Sequence, residues 1–170
     1  MKRHLRFFGP AALVLCLTGA VPGSYDAAAA AGACGLITRQ EAATAFGAPV
    51  PAGADKTQDF PLKGEGVVIK MQSCFYGSGV IVARYELGSD AQVLFGKYRK
   101  ELASQSGSTD YQNVNGIGDE AFAAKGQLMI RKGQTGLLIS VSLGDRQNLR
   151  IATRALQAEK ALAALALGRL

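Results

Sequence analysis

Residues 113–143 read NVNGIGDEAFAAKGQLMIRKGQTGLLISVSL, and we expect the core of the protein to be built on this segment. It contains two apolar runs, Gln127–Lys132 and Leu137–Leu143, with a glycine-containing turn between them. In the second run every other residue is a large aliphatic one, which is the period-two pattern of a strand with one buried face. The stretch therefore predicts a β-hairpin at the centre of the sheet, preceded by a short strand at Ala121–Ala124.

The rest of the chain supplies a second hairpin and three helices. Apolar residues alternate on both sides of a Gly-Ser-Gly turn, and helical spacing recurs in the other segments. The predicted elements are a helix from a Thr38–Glu41 capping box to Gly47, strands Val67–Tyr76 and Val80–Leu87, a helix from Ser89 to Gly107, the three strands named above, and a helix over Gln147–Leu167. Short links between strands favour antiparallel pairing. The fold class is thus α+β, a mainly antiparallel sheet of about five strands with helices packed on one face, in the order α-β-β-α-β-β-β-α.

Residues 48–66 have no apolar periodicity and are rich in Gly, Pro, Lys and Asp. This composition is typical of a connection between elements. We expect a loop or a mobile edge here.

The N-terminus has the order of an export signal. Met1–Arg6 carries three fixed positive charges, Phe7–Ala20 is apolar, and small residues follow up to Ala33. The sequence predicts a signal over 1–33, a single domain over 34–170, and a secreted or periplasmic location. The alternative is that the signal stays as an uncleaved anchor. Its removal lowers the net charge from +6 to +4, which is mildly basic and predicts no nucleic-acid partner.

Histidine content limits the chemistry. The single histidine, His4, lies within the predicted signal. The mature domain then has no imidazole for nucleophile activation, for metal binding or for c-type haem attachment. We expect no catalytic residues, no metal and no cofactor.

Cys34 and Cys74 are the cysteines that remain after Cys16 leaves with the signal. Two cysteines in an exported domain most simply form one disulfide, which here closes a loop of 41 residues. The alternative is lipidation of Cys34. It is disfavoured because Ala31 occupies the position where a lipid-attachment site has a large aliphatic residue.

The segment from Gly116 to Ala121 fits the G-x-G-x-x-A pattern of dinucleotide sites. That pattern binds phosphate only where a helix follows, and a strand is predicted instead. We therefore interpret Gly116 and Gly118 as turn residues with positive φ, and expect Asp119 to bond the amides of its own turn. Asp119 and Glu120, adjacent on an extended chain, are not expected to form a catalytic pair.

Four aromatic residues form a candidate pocket between sheet and helices. Its occupant would be a lipid or another small apolar ligand. The residues are Tyr76, Tyr85, Tyr98 and Phe122.

Short motifs carry a resemblance to a group of small exported bacterial proteins and lipoproteins of unknown function. They are Cys34-Gly-Leu-Ile-Thr-Arg-Gln-Glu41 followed by Phe46-Gly-Ala-Pro-Val50, Cys74 beside aromatic residues, and Gly116–Phe122 before the last hairpin. The resemblance implies a cell-envelope α+β domain with a Cys34–Cys74 bridge, and no particular activity.

These observations lead us to expect a non-catalytic, disulfide-bonded binding or interaction module of the bacterial envelope. Its partner would be an envelope protein or a small apolar ligand. One alternative is a protein inhibitor or assembly factor acting through an exposed sheet face or the 52–66 loop. A second, less favoured, is a hydrolase using two of Glu65, Glu86 and Asp119.

Overall fold

The structure is a computed structural model that describes residues 32–62, 66–105, 111–145 and 147–170. Most of the predicted signal 1–33, and the predicted helix end at Gly107, lie outside these ranges. After a short 3-10 helix at Ala33–Gly35 the elements are α1 (Arg39–Phe46), β1 (Ala54–Leu62), β2 (Val67–Tyr76), β3 (Val80–Glu86), α2 (Ala91–Gln105), β4 (Gln112–Asn113), β5 (Glu120–Ala124), β6 (Gln127–Lys132), β7 (Thr135–Val141) and α3 (Leu149–Leu167).

The strands form one antiparallel sheet in the order β1-β2-β3-β7-β6-β5-β4. Two meanders, β1–β3 and β4–β7, are connected by α2, and β3 lies next to β7. The prediction of an α+β fold with an antiparallel sheet is confirmed. The described residues form seven strands, however, because β1 and the two-residue β4 were not predicted.

Local sequence signals act as predicted at α1. The Thr38 hydroxyl accepts a bond from the Glu41 amide, and the Glu41 carboxylate accepts one from the Thr38 amide at 2.7 Å, which completes the capping box. The helix ends at Gly47, which has a φ of 81° that a residue with a Cβ rarely adopts.

Residues 54–62 form a strand, so the prediction of a loop over 48–66 was wrong for this part. β1 pairs with β2 in continuous register from Ala54↔Phe75 to Leu62↔Val67. It lies at the edge of the sheet, where the side chains of residues 54–61 are exposed or half-buried. Since no face of such a strand is fully buried, no apolar periodicity is required, and a hydrophobic pattern cannot reveal it.

Helices cover both faces of the sheet, which corrects the prediction that they pack on one face. One core cluster joins α1 and α3 to one face; its members include Ala42, Cys74, Tyr76, Val82, Ile130, Ile139, Leu162 and Ala166. The other joins α2 to the opposite face; its members include Ile69, Met71, Tyr85, Leu94, Phe95, Phe122, Met129 and Leu138. Leu138 is only 8% exposed on the α2 face. The alternation in β7 therefore does not mark one buried and one polar face, as predicted, because both of its faces are buried.

Candidate functional site

The predicted Cys34–Cys74 disulfide is present, with a Cα–Cα distance of 4.9 Å. It joins the 3-10 helix to β2 beside the start of β1. Gly53 lies against it, since a Cβ at this position would be 2.6 Å from Cys74 Sγ and 2.9 Å from Cys34 Sγ. In addition, the Asp55 carboxylate of β1 accepts a hydrogen bond from the Cys34 amide at 3.2 Å. The bridge thereby fixes the beginning of the edge strand.

The two ends of the described chain are joined by an ion pair between Glu41 and Arg169. The guanidinium donates two bonds of 2.7 Å to the Glu41 carboxylate, and a third of 3.0 Å to the carbonyl oxygen of Leu36. The bond from Arg169 is the largest cause of the lowered pKa of Glu41, which falls to about 2, and the bonds with Thr38 also lower it. The pair holds the end of α3 against the start of α1, which is a structural role.

The glycine-rich turn before β5 is tied to the β6–β7 hairpin. Gly116 and Gly118 have φ values of 79° and 61°. A Cβ at Gly118 would be 2.5 Å from the carbonyl oxygen of Arg131. A strand follows this turn, so the phosphate-binding geometry of the G-x-G-x-x-A pattern is not formed.

Asp119 was predicted to bond the amides of its own turn, but its carboxylate binds an amide of the β6–β7 turn instead. Its carboxylate accepts bonds from the Gly133 amide at 2.7 Å and from Lys132 and Arg131 at 3.2 Å each. The Gly133 amide is the largest cause of the lowered pKa of Asp119. Glu120 also reaches Arg131, at 2.9 Å. Basic side chains and a main-chain amide already bind these two carboxylates. Their role is therefore structural: they hold the glycine-rich turn against the β6–β7 hairpin.

The four aromatic residues of the candidate pocket do not line one pocket. Tyr76 belongs to the α1/α3 core, where its hydroxyl donates to the carbonyl of Ile37. Phe122 lies on the α2 face and packs against Phe95, with ring centroids 5.4 Å apart. Only Tyr85 and Tyr98 line a common cavity.

That cavity is small. It lies between α2 and the sheet, where residues of β1, β2, β3, β6 and β7 line it, and Phe60 makes edge-to-face contacts with both tyrosines. Burial raises the pKa of Tyr85 and of Tyr98. The cavity volume is about 20 Å³, which is room for about one water molecule. A lipid does not fit in this space.

Two larger concavities lie on the surface. One, of about 460 Å³, lies between the β5–β6 turn and α3, and its lining includes Lys125, Gln127, Asp145 and Glu159. Glu159 is 1% exposed and accepts a bond of 3.0 Å from the Val141 amide, so that it fastens α3 to β7. The other, of about 620 Å³, is an open depression along α1 and the residues that follow it.

Strand β1 is an accessible edge of the sheet, with most of its residues exposed. Val67–Lys70 of β2 pair with β1 but not with β3, so this end of the hairpin extends past the three-stranded part of the meander. Val68, opposite Pro61, is 59% exposed. Among the described residues no strand pairs with the outer edge of β1.

The direction of the main-chain groups of β1 follows from Pro61. Proline has no N–H, so in register with Val68 it can occupy only a position whose nitrogen points away from β2. The register is continuous, and alternate residues of a strand direct their N–H and C=O groups to the same side. Asp55, Thr57 and Asp59 therefore direct their N–H groups outward, whereas the even-numbered residues form the ladder with β2.

Next to this edge lies a polar part of the sheet on the α1/α3 side. Thr57, Gln72 and Arg84 are cross-strand neighbours in β1, β2 and β3. Arg84 Nε is buried and has no hydrogen-bond partner, the one such side-chain nitrogen or oxygen in the described ranges. A buried donor without a partner is unfavourable.

The sequence carries a signal for this edge strand. Pro61, together with Asp55, Lys56 and Asp59, falls within nine residues. Charged residues and proline are typical of edge strands, where they discourage unwanted pairing. No sequence signal indicated the unpaired Arg84.

Over residues 32–62, 66–105, 111–145 and 147–170, no group of three or more His, Cys, Asp or Glu could hold a metal ion. Within the same ranges no helix is both apolar enough and long enough to cross a bilayer. The chain matches no protein-family model, no curated protein and no solved structure. The geometry therefore defines the class only as an α+β domain with a seven-stranded antiparallel sheet and one disulfide.

Proposed function

We propose that this protein is an exported, non-catalytic interaction module of the bacterial cell envelope, and that the outer edge of β1 is its docking surface. The observation that carries the proposal is the nine-residue strand β1, exposed along most of its length and unpaired on its outer side among the described residues. We also propose that it belongs to the group of small exported proteins that its motifs resemble. The disulfide supports export, because such bonds persist in oxidising compartments.

A protein partner is favoured over a small apolar ligand. The apolar cavity at Tyr85 and Tyr98 holds about 20 Å³, whereas the edge of β1 offers main-chain groups along an extended line. An inhibitor or an assembly factor, each acting on another protein, would use such an edge. For the hydrolase alternative, donors already engage Asp119, one of its three candidate carboxylates, and Glu65 lies outside the described residues.

In-cell photo-crosslinking tests the proposal. A photoreactive amino acid replaces Lys56 or Asp59, both exposed on β1, and in matched controls it replaces Ala161 or Ala164, both exposed on α3. We expect a discrete adduct with an envelope protein from the β1 positions and none from α3. Adducts from neither strand position, or equal adducts from both elements, would contradict a docking surface at β1. Turnover of an ester, peptide or glycoside by the purified protein would contradict the non-catalytic role.

A further inference from the structure

We infer that the partner of β1 is an extended segment of another polypeptide, which adds to the sheet as an antiparallel strand and carries basic side chains opposite Asp55 and Asp59. This inference rests on the proposed function and names the kind of partner. Its grounds are the outward main-chain groups of β1 and the charges beside them.

The main-chain groups give the site its hydrogen-bonding capacity. Asp55, Thr57 and Asp59 each direct an N–H and a C=O away from β2, and Pro61 adds a C=O. Strand addition to an exposed edge uses such groups for affinity and the alternate side chains for selectivity. Every strand pair in this sheet is antiparallel, so the added strand continues the existing geometry.

The side chains indicate the charge of the partner. Asp55, Thr57 and Asp59 lie on one face of β1, so two carboxylates flank a small hydroxyl at a spacing of four residues. Lys70 is the cross-strand neighbour of Asp59 on the inner side, and the Cys34 amide donates a hydrogen bond to one oxygen of the Asp55 carboxylate. Both acidic residues are exposed, and both lie beside the position of an added strand. Opposite charges directly across two strands stabilise the pairing, so Lys or Arg at positions i and i+4 of the partner fit this face.

A synthetic heptapeptide, Thr-Lys-Thr-Val-Thr-Lys-Thr, is the probe. Its valine lies opposite Thr57 and its lysines opposite Asp55 and Asp59. We titrate it into isotope-labelled protein, purified after export by its own N-terminal segment, and record amide shifts and hydrogen exchange. We expect shifts and slower exchange at the amides of Asp55, Thr57 and Asp59. Absence of binding at about 10 mM peptide, a very weak limit for specific association, would overturn the inference.

Two matched pairs separate main-chain pairing from other modes of binding. N-methylation of the probe valine removes an N–H directed at β1, whereas N-methylation of the adjacent threonine removes one directed away from it. In the protein, Thr57→Pro removes an outward N–H and spares the bonds to β2, whereas Thr57→Val keeps the N–H and the shape. We expect the first change of each pair to weaken binding about tenfold or more and the second to change it little. Equal effects within either pair would refute strand addition. The comparison of the two N-methylated peptides remains a valid test even if the Thr57→Pro variant folds poorly.

Charge is tested with a probe in which both lysines are replaced by glutamate. We expect binding of this probe to be several-fold weaker, with the difference shrinking as salt is added. Equal binding of the two probes would overturn the inference that the partner carries basic side chains opposite Asp55 and Asp59. If β1 gives photo-adducts that survive Thr57→Pro, strand addition fails while the docking surface stands. If β1 gives no adducts, the proposed function itself fails.

Discussion

The ion pair between Glu41 and Arg169 allows a quantitative prediction about how the ends of the described chain stabilise the fold. The substitution is Glu41→Gln. Glutamine also completes a capping box with Thr38, so the change removes the negative charge while it keeps the start of α1 intact.

The magnitude follows from the pKa. A fall from 4.5 to about 2 corresponds to a ceiling of about 3 kcal/mol. The side chains of Glu41 and Arg169 are 23% and 36% exposed, so solvent screens the pair and we expect about 1–2 kcal/mol. Because the folded-state pKa is depressed, this stability is fully present above pH 4.5 and is lost as the pH falls from there towards 2.

The assay is urea unfolding followed by tyrosine fluorescence, which is practical because the chain has five Tyr and no Trp. Wild type, Glu41→Gln, Arg169→Gln and the double variant form a thermodynamic cycle. We expect a coupling of about 1 kcal/mol or more at neutral pH, which decreases as the pH falls below 4.5 and disappears below about pH 2. A Glu41→Gln variant as stable as wild type at neutral pH, or a deficit that persists unchanged at low pH, would refute the reasoning.

Other sites give sharp expectations in the same unfolding assay. Replacing Cys34 and Cys74 by Ser should cost about 4 kcal/mol for the 41-residue loop, and the intact mass of the native protein should rise by two hydrogens on reduction; no mass change would rule out the bond in the purified protein. Gly53→Ala should cost about 1–3 kcal/mol because its Cβ meets both bridging sulfurs, whereas the control Gly96→Ala, in open space within α2, should gain about 0.5–1 kcal/mol; equal effects would contradict the packing at Gly53. Arg84→Leu should raise the free energy of unfolding by about 1 kcal/mol, since it removes a buried donor without a partner, and a loss of stability would contradict this account.

The sequence was sufficient where local chemistry and burial agree. Thr38 and Glu41 specify a helix start by themselves, and alternation in Val67–Tyr76 separates Ile69 and Met71 from Cys74 on opposite faces, as in the structure. The cysteine pair needed no geometric information, because assigning Cys16 to the predicted signal leaves two thiols with one intramolecular pairing available.

Prediction failed where the sequence of an element does not indicate which other element it pairs with or packs against. Strand β1 is held by its pairing with β2, and its polar residues read as a loop when taken alone. Likewise, the apolar stripe of α2 shows that the helix packs but not on which face of the sheet. Leu138 and Met129 could have indicated a second buried face, since both are large and apolar at positions that a one-sided sheet would leave polar.

An open edge that binds a foreign strand must avoid pairing with its own copies, and the residues of β1 meet both demands. Two copies paired antiparallel about Thr57 would place Asp55 of each opposite Asp59 of the other, and like charges directly across are unfavourable. Pairing about Gln58 avoids that repulsion, but Pro61 then lies opposite Asp55 and has no N–H to donate. A foreign strand with basic residues opposite Asp55 and Asp59 avoids the like-charge repulsion, and a segment as short as the heptapeptide, which lies opposite residues 54–60, does not reach Pro61. The charges and the proline that hid this strand in the sequence are thus the features that would make its edge selective.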